Sequence, residues 1–215
     1  MPSVSLPITS IRSWPSVMQN KRASRRPGCA QWHDHVNHVN APAAFRHWLT
    51  DRGSLTAKLI AQCDRFSVQR ICQQTEKCWS DEFDAIGLPG PRQVHAREVL
   101  LRCDGRAAVY AHTVMPLHAT ATQWPLFRSL GNRSLGSTLF NDPRVVRGPM
   151  QFARLNVEHP AMRRALALTT VESGPDWRNH FERSLLARRS LFFRRGGVML
   201  VTELFLPNLE PANDE

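Results

Sequence analysis

Two ionisable side chains stand out by their setting. Arg97 lies in the apolar run AREVLLRC and Glu203 in VMLVTELFL. A charge taken out of water needs a partner, so each is either solvated on an outer face or committed to an ion pair or a charged ligand. Residues 96–116 place an Asp-Gly pair between two apolar runs, which predicts a hairpin with a type I′ turn. A two-residue turn at Asp104-Gly105 opposes Cys103 to Arg106. It sets Arg97 directly across from His112, on one face with Val99, Leu101, Ala108 and Tyr110. If that face is the core side, Arg97 meets a carboxylate or an anionic ligand; if it is the outer side, Arg97 is merely hydrated. Glu203 shares its face with Val201 and Phe205, while Val198, Leu200, Leu204 and Leu206 take the other, so its carboxylate is partly buried whichever way the strand turns. An internal ion pair with Arg188, Arg189 or Arg194 and a functional role are both open to it.

A third group is Cys29, His33, His35 and His38 in CAQWHDHVNH, the ligand types that zinc favours. These residues sit in a proline-interrupted stretch with no core sequence beside them, and no metal site is expected. The chain shows no nucleophile elbow, P-loop, dinucleotide-binding glycine pattern or H-E-x-x-H motif. It shows no helix-turn-helix, zinc-finger or RRM signature either, so nucleic acid has only charge to recommend it.

The elements that must position Arg97 and Glu203 are strands with helices on either side of them in the chain. RFSVQRI (65–71) reads as a strand, 96–116 as the first hairpin, GPMQFARLN as a further strand, and 185–207 as a second hairpin turning at Gly196-Gly197. AAFRHWL behind Pro42, a helix from LTAKLIAQC capped by Ser54, short helices in WPLFRSLG and in SLGSTLF capped by Ser134, and HPAMRRALAL supply the helical layer. Hairpins without β-α-β alternation imply an α+β fold, one antiparallel sheet with helices packed on it. Residues 1–42, broken by Pro2, Pro7, Pro15, Pro27 and Pro42, are expected to form a disordered basic extension to a body spanning 43–215.

The chain of 215 residues carries 28 Lys and Arg against 18 Asp and Glu, a formal net charge of +10. At 42% hydrophobic it is an ordinary globular composition, and no run reaches the roughly 18 apolar residues of a membrane span. The five cysteines form no C-x-x-C pair. Their odd number and the lack of a secretory apolar segment predict reduced thiols, no disulfide and a cytoplasmic location.

Four blocks in order resemble the bacterial chorismate pyruvate-lyase family of the ubiquinone pathway: WLTDRGSLT (48–56), REVLLRCDG (97–105) with TVMP (113–116), LGNRSLGSTLF (130–140), and RRSLFFRRGGVMLVTELFLP (188–207). The resemblance runs from about Ala43 to Pro207. It implies cofactor-independent conversion of chorismate to 4-hydroxybenzoate and pyruvate in a buried site under helical flaps, for which the helices near 43–63 and 124–140 are the candidates. It further implies that Arg97 grips a substrate carboxylate and that Glu203 meets the ring hydroxyl, these two being the catalytic pair, while Leu55 and Leu135 contribute to the ligand pocket. His112 stands where a family member has a second arginine, and is expected in the site by its register opposite Arg97. Chorismate and 4-hydroxybenzoate are then the expected partners of a monomer with no nucleic-acid partner and no stable membrane insertion. The rival is a ligand-sensing domain of the same fold, as in some transcription regulators, whose winged helix-turn-helix has no counterpart legible in the first 42 residues.

Overall fold

The computed structural model describes residues 28–119, 122–173 and 184–209. Six strands, β1 (Phe66–Lys77), β2 (Gln93–Cys103), β3 (Arg106–Pro116), β4 (Val146–Asn156), β5 (Ser184–Arg194) and β6 (Gly197–Phe205), form one sheet in the order β1-β2-β3-β6-β5-β4. Every neighbouring pair is antiparallel, so the expected α+β architecture holds. Four helices join it: α1 (Ala43–Thr50), α2 (Leu55–Gln62), α3 (Leu135–Asn141) and α4 (Pro160–Ser173). WPLFRSLG forms a 3-10 turn over Pro125–Ser129 instead of an α-helix.

The central strands β3, β6 and β5 are covered on both faces. On one face Trp48, Leu49, Leu55 and Leu59 from α1 and α2 pack against Val99 and Phe205. On the other, Ala161, Met162 and Ala165 of α4 pack against Leu100, Tyr110 and Leu204. Continuous apolar strands are what such double burial requires.

Both hairpins turn through two residues with positive φ, Asp104 and Gly105 in the first, Arg195 and Gly196 in the second. The second turn is thus one residue earlier than Gly196-Gly197. Gly197 instead opens β6 at a point where a Cβ would lie 2.4 Å from the Gln123 side chain. In the first hairpin Cys103 faces Arg106 as expected, but a bulge at Ala108 shifts the rest, pairing Leu101 with Val109 and Arg97 with Thr113. The predicted Arg97–His112 pairing is therefore corrected: His112 opposes Glu98 and points to the other face.

Two further expectations change. Residues 28–42 belong to the body, because His33 bridges to Phe152 of β4 and Val36, Val39 and Ala41 are buried against the α1 side of the core. The boundary at residue 42 therefore falls inside packed structure, and residues 1–27 lie outside the described residues. Cys63, at the end of α2, and Cys103, at the end of β2, form a disulfide with Cα atoms 5.3 Å apart, against the expectation of reduced thiols throughout. Residues 40 apart in the chain reveal no such proximity through count or spacing, and the thiol argument for a reducing compartment falls with it. Among the described residues no helix is long and apolar enough to cross a membrane.

Candidate active site

β6 runs between β3 and β5, which places Glu203 in register with Arg188 of β5 and Ala111 of β3. The Arg188 Nε donates to Glu203 Oε2 at 2.6 Å. Its Nη1 donates to the carbonyl oxygens of Trp48 (2.7 Å), Leu49 (3.4 Å) and Asp51 (2.9 Å) at the end of α1. Carbonyls at a helix C-terminus have no partner within the helix and attract a cation. Arg188 is thereby pinned, only 1% exposed, and it fixes the carboxylate of Glu203 on the face beneath α1 and α2.

Arg97 reaches the same face from β2, two strands away. It is 2% exposed, yet its hydrogen-bond partners are neutral: Gln73 Oε1 at 3.0 Å and the carbonyls of Gly131 (2.9 Å) and Arg133 (3.0 Å). Burial holds its guanidinium below the usual arginine value, at about 10, and nearby Arg70 adds to the depression. A buried cation held by oxygens that carry no net charge is a ready acceptor of an anion.

Leu55 and Leu135 are the first residues of α2 and α3. Ser54 and Ser134 cap these helices, accepting from the backbone N–H of Ala57 (3.2 Å) and Ser137 (3.3 Å). The helices meet over the sheet, where Thr56 Oγ1 and Ser134 Oγ share a 2.6 Å hydrogen bond. Gly136 allows the approach, since a Cβ there would stand 2.8 Å from Thr56 Oγ1. Between these helix starts and the sheet lies a cavity that Leu55, Arg97, Leu135 and Glu203 all line. Among the described residues, the other charged groups that line it are Arg147 and Arg188. Three guanidinium groups and one carboxylate give the cavity a formal +2.

His112 is not among the lining residues. It is buried on the opposite face, its ring stacked on Trp79 with centroids 3.7 Å apart, Nε2 3.1 Å from Glu82 and Nδ1 3.6 Å from Glu98. Arg164 of α4 pairs with Glu98 and donates to both oxygens of Glu76 at 3.2 and 3.1 Å. Glu76, Glu98 and His112 have ligand atoms within 4.8 Å of one another, the one such group among the described residues, but the Arg164 guanidinium already supplies a cation there. Cys29, His33, His35 and His38 form no such group; the His33 and His38 rings stack at 5.2 Å.

Arg147 of β4 escaped the sequence reading altogether. The Gly148-Pro149 step beside it, where the β4–β5 register shifts, was the available sign that its side chain departs from simple alternation. Arg188 was legible as a partner for Glu203 but not as the group that ties it to α1.

The chorismate lyase family model matches residues 27–211 of this chain. Among curated proteins, a "Probable chorismate pyruvate-lyase" of Cupriavidus metallidurans is 46% identical over 183 residues, covering 84% of this chain and 81% of its own length. One from Aromatoleum aromaticum is 39% identical over 184 residues, covering 86% and 96%. Among solved structures, the effector domain of PhnF from Mycobacterium smegmatis has a TM-score of 0.46 at 15% identity, covering 73% of this chain and 90% of that one. With a family match across nearly the whole described body and relatives of such identity and coverage, the chain belongs to the chorismate lyase family.

Proposed function

We propose that this protein is a chorismate pyruvate-lyase that works without a cofactor, as a cytoplasmic monomer, and supplies 4-hydroxybenzoate for ubiquinone. The observation that carries this reading is the charge of the cavity: a formal +2 enclosed between an apolar sheet face and two helix starts matches a small dianion. Chorismate is such a dianion, with one carboxylate on its ring and one on its enolpyruvyl ether.

Arg97 takes the ring carboxylate through its guanidinium. Glu203, fixed by Arg188, accepts a hydrogen bond from the ring hydroxyl. Leu55 and Leu135, which line the cavity at the starts of α2 and α3, press on the ring. The ether bond from ring to enolpyruvyl group breaks, and the hydrogen on the hydroxyl-bearing carbon is lost. The enolpyruvyl methylene gains a hydrogen to become the methyl group of pyruvate, so the atoms balance and the ring becomes aromatic. The residues' task is to hold the dianion in its reactive geometry away from water, since aromatisation drives the step. The aromatic product then leaves when α2 and α3 part, a step that can set the turnover rate.

Replacing Arg97 removes a charge-assisted contact worth about 2 kcal/mol, so Arg97→Ala lowers kcat/KM on chorismate by about thirtyfold or more. Full activity in that variant contradicts the assignment.

A further inference from the structure

Arg97 and Glu203 account for the ring carboxylate and the ring hydroxyl, which leaves the second carboxylate of the dianion without a partner. Two guanidinium groups remain in the cavity. Arg188 is already paired with the carboxylate of the cavity, with Nε on Glu203 and Nη1 on three carbonyl oxygens, although its Nη2, like that of Arg147, takes none of the hydrogen bonds found among the described residues. Arg147 is placed differently. Its Nε donates to Ser190 Oγ at 3.1 Å and its Nη1 to the carbonyls of Arg52 (2.9 Å) and Gly53 (3.3 Å), all neutral, and Nη2 takes none of the hydrogen bonds found among the described residues. The aromatic rings of Phe140 and Phe192 lie 5.8 and 5.4 Å from its guanidinium carbon. Two rings and two carbonyls fix the position of the group while leaving its charge uncompensated by any carboxylate bonded to it.

We propose that Arg147 receives the carboxylate of the enolpyruvyl arm and so distinguishes the dianionic substrate from the monoanionic aromatic product. The inference rests on the lyase reading and adds to it. Charge supports it: with Arg147 the cavity carries +2, the complement of chorismate, and without it +1, the complement of 4-hydroxybenzoate alone. Burial supports it too, holding the guanidinium at about 10, below the usual arginine value, a cost that a bound anion relieves. Position gives it a second consequence. Arg52 and Gly53 form the link from α1 to α2, so an anion drawn to Arg147 is sensed at the base of the helix that closes over it. The 4-hydroxybenzoate product has lost the enolpyruvyl arm and makes no use of Arg147, which weakens the hold on that loop once the bond is broken.

The test compares two ligands on one set of variants. Arg147→Gln is expected to lower kcat/KM for chorismate by about thirtyfold, through KM above all, while changing the calorimetric Kd for 4-hydroxybenzoate by less than about threefold. Arg147→Lys, which keeps a cation on a shorter reach, is expected to recover part of the loss on chorismate and to bind 4-hydroxybenzoate like the unmodified protein. Arg97→Ala is expected to weaken both ligands. If either Arg147 variant weakens 4-hydroxybenzoate as much as chorismate, or if Arg147→Gln leaves kcat/KM unchanged, Arg147 does not hold the enolpyruvyl carboxylate. Absence of turnover in the unmodified protein would instead remove the lyase reading itself, whatever the variants do.

Discussion

At the scale of single residues, Glu203 was the most legible feature of the chain, because a carboxylate on a strand apolar on both faces has no outer side to retreat to. Its partner was harder: three arginines competed, and the turn at Arg195-Gly196 selects Arg188 by register. A different buried carboxylate was not singled out at all. Asp81 lies in a stretch of turns between β1 and β2 and accepts from the Trp32 indole at 2.8 Å, with His159 Nε2 at 3.1 Å. Burial opposes its charge, but His159, Arg189 and the Trp32 indole together hold its carboxyl below the ordinary 3.8. A carboxylate with a lowered folded-state value contributes stability that is complete above its ordinary value and disappears as pH falls through the lowered one. Urea unfolding of Asp81→Asn is therefore expected to show a smaller loss of stability between pH 5 and pH 3 than the unmodified protein. An equal loss in both would show that Asp81 does not anchor the acid side of the stability profile.

At the scale of elements, the hairpins and caps followed from turn chemistry and apolar period, and Ser54 and Ser134 cap the helices they were expected to cap. The register of the first hairpin did not follow. Ala108 is the extra residue, and an alanine in RAAVYA carries no sign that it is a bulge; its carbonyl accepts from Leu206 N at 2.9 Å, a contact from the residue that follows β6, far along the chain. One residue of slip sends a side chain to the opposite face, and this is what moves His112 from the cavity to the Trp79 side. There it is buried between the carboxylates of Glu82 and Glu98. His112→Ala opens a void beside Trp79 and removes the ring that Glu82 meets, and is expected to lower stability by about 2–4 kcal/mol, with the affinity for 4-hydroxybenzoate in the folded fraction unchanged. Loss of ligand affinity at unchanged stability would return His112 to the site. The 28–42 segment escaped for a related reason: Val36, Val39 and Ala41 are too few and too irregularly spaced to announce a packed element, and only β4 and α1 give them something to cover.

At the scale of the whole molecule, the net charge of +10 divides into two unlike parts. All five cations of the first 42 residues precede residue 28, and no acid accompanies them, so residues 1–27 carry +5 of the net charge and residues 28–215 the other +5. Within the body, the charge that bears on function is the +2 of one cavity, set by Arg97, Arg147, Arg188 and Glu203 from four different strands. Net charge said nothing of that arrangement. It arises because β2, β6, β5 and β4 share a sheet whose one face is roofed by two short helices. The family resemblance brought Arg97 and Glu203 into view together, whereas Arg147 needed the folded sheet. The central claim, that this cavity takes the pyruvyl group from chorismate, is tested most directly by incubating the purified protein with chorismate in metal-free buffer containing a chelator and quantifying both products. The expected result is 4-hydroxybenzoate and pyruvate in equal amounts at a rate proportional to protein. Folded protein that leaves chorismate intact would contradict it.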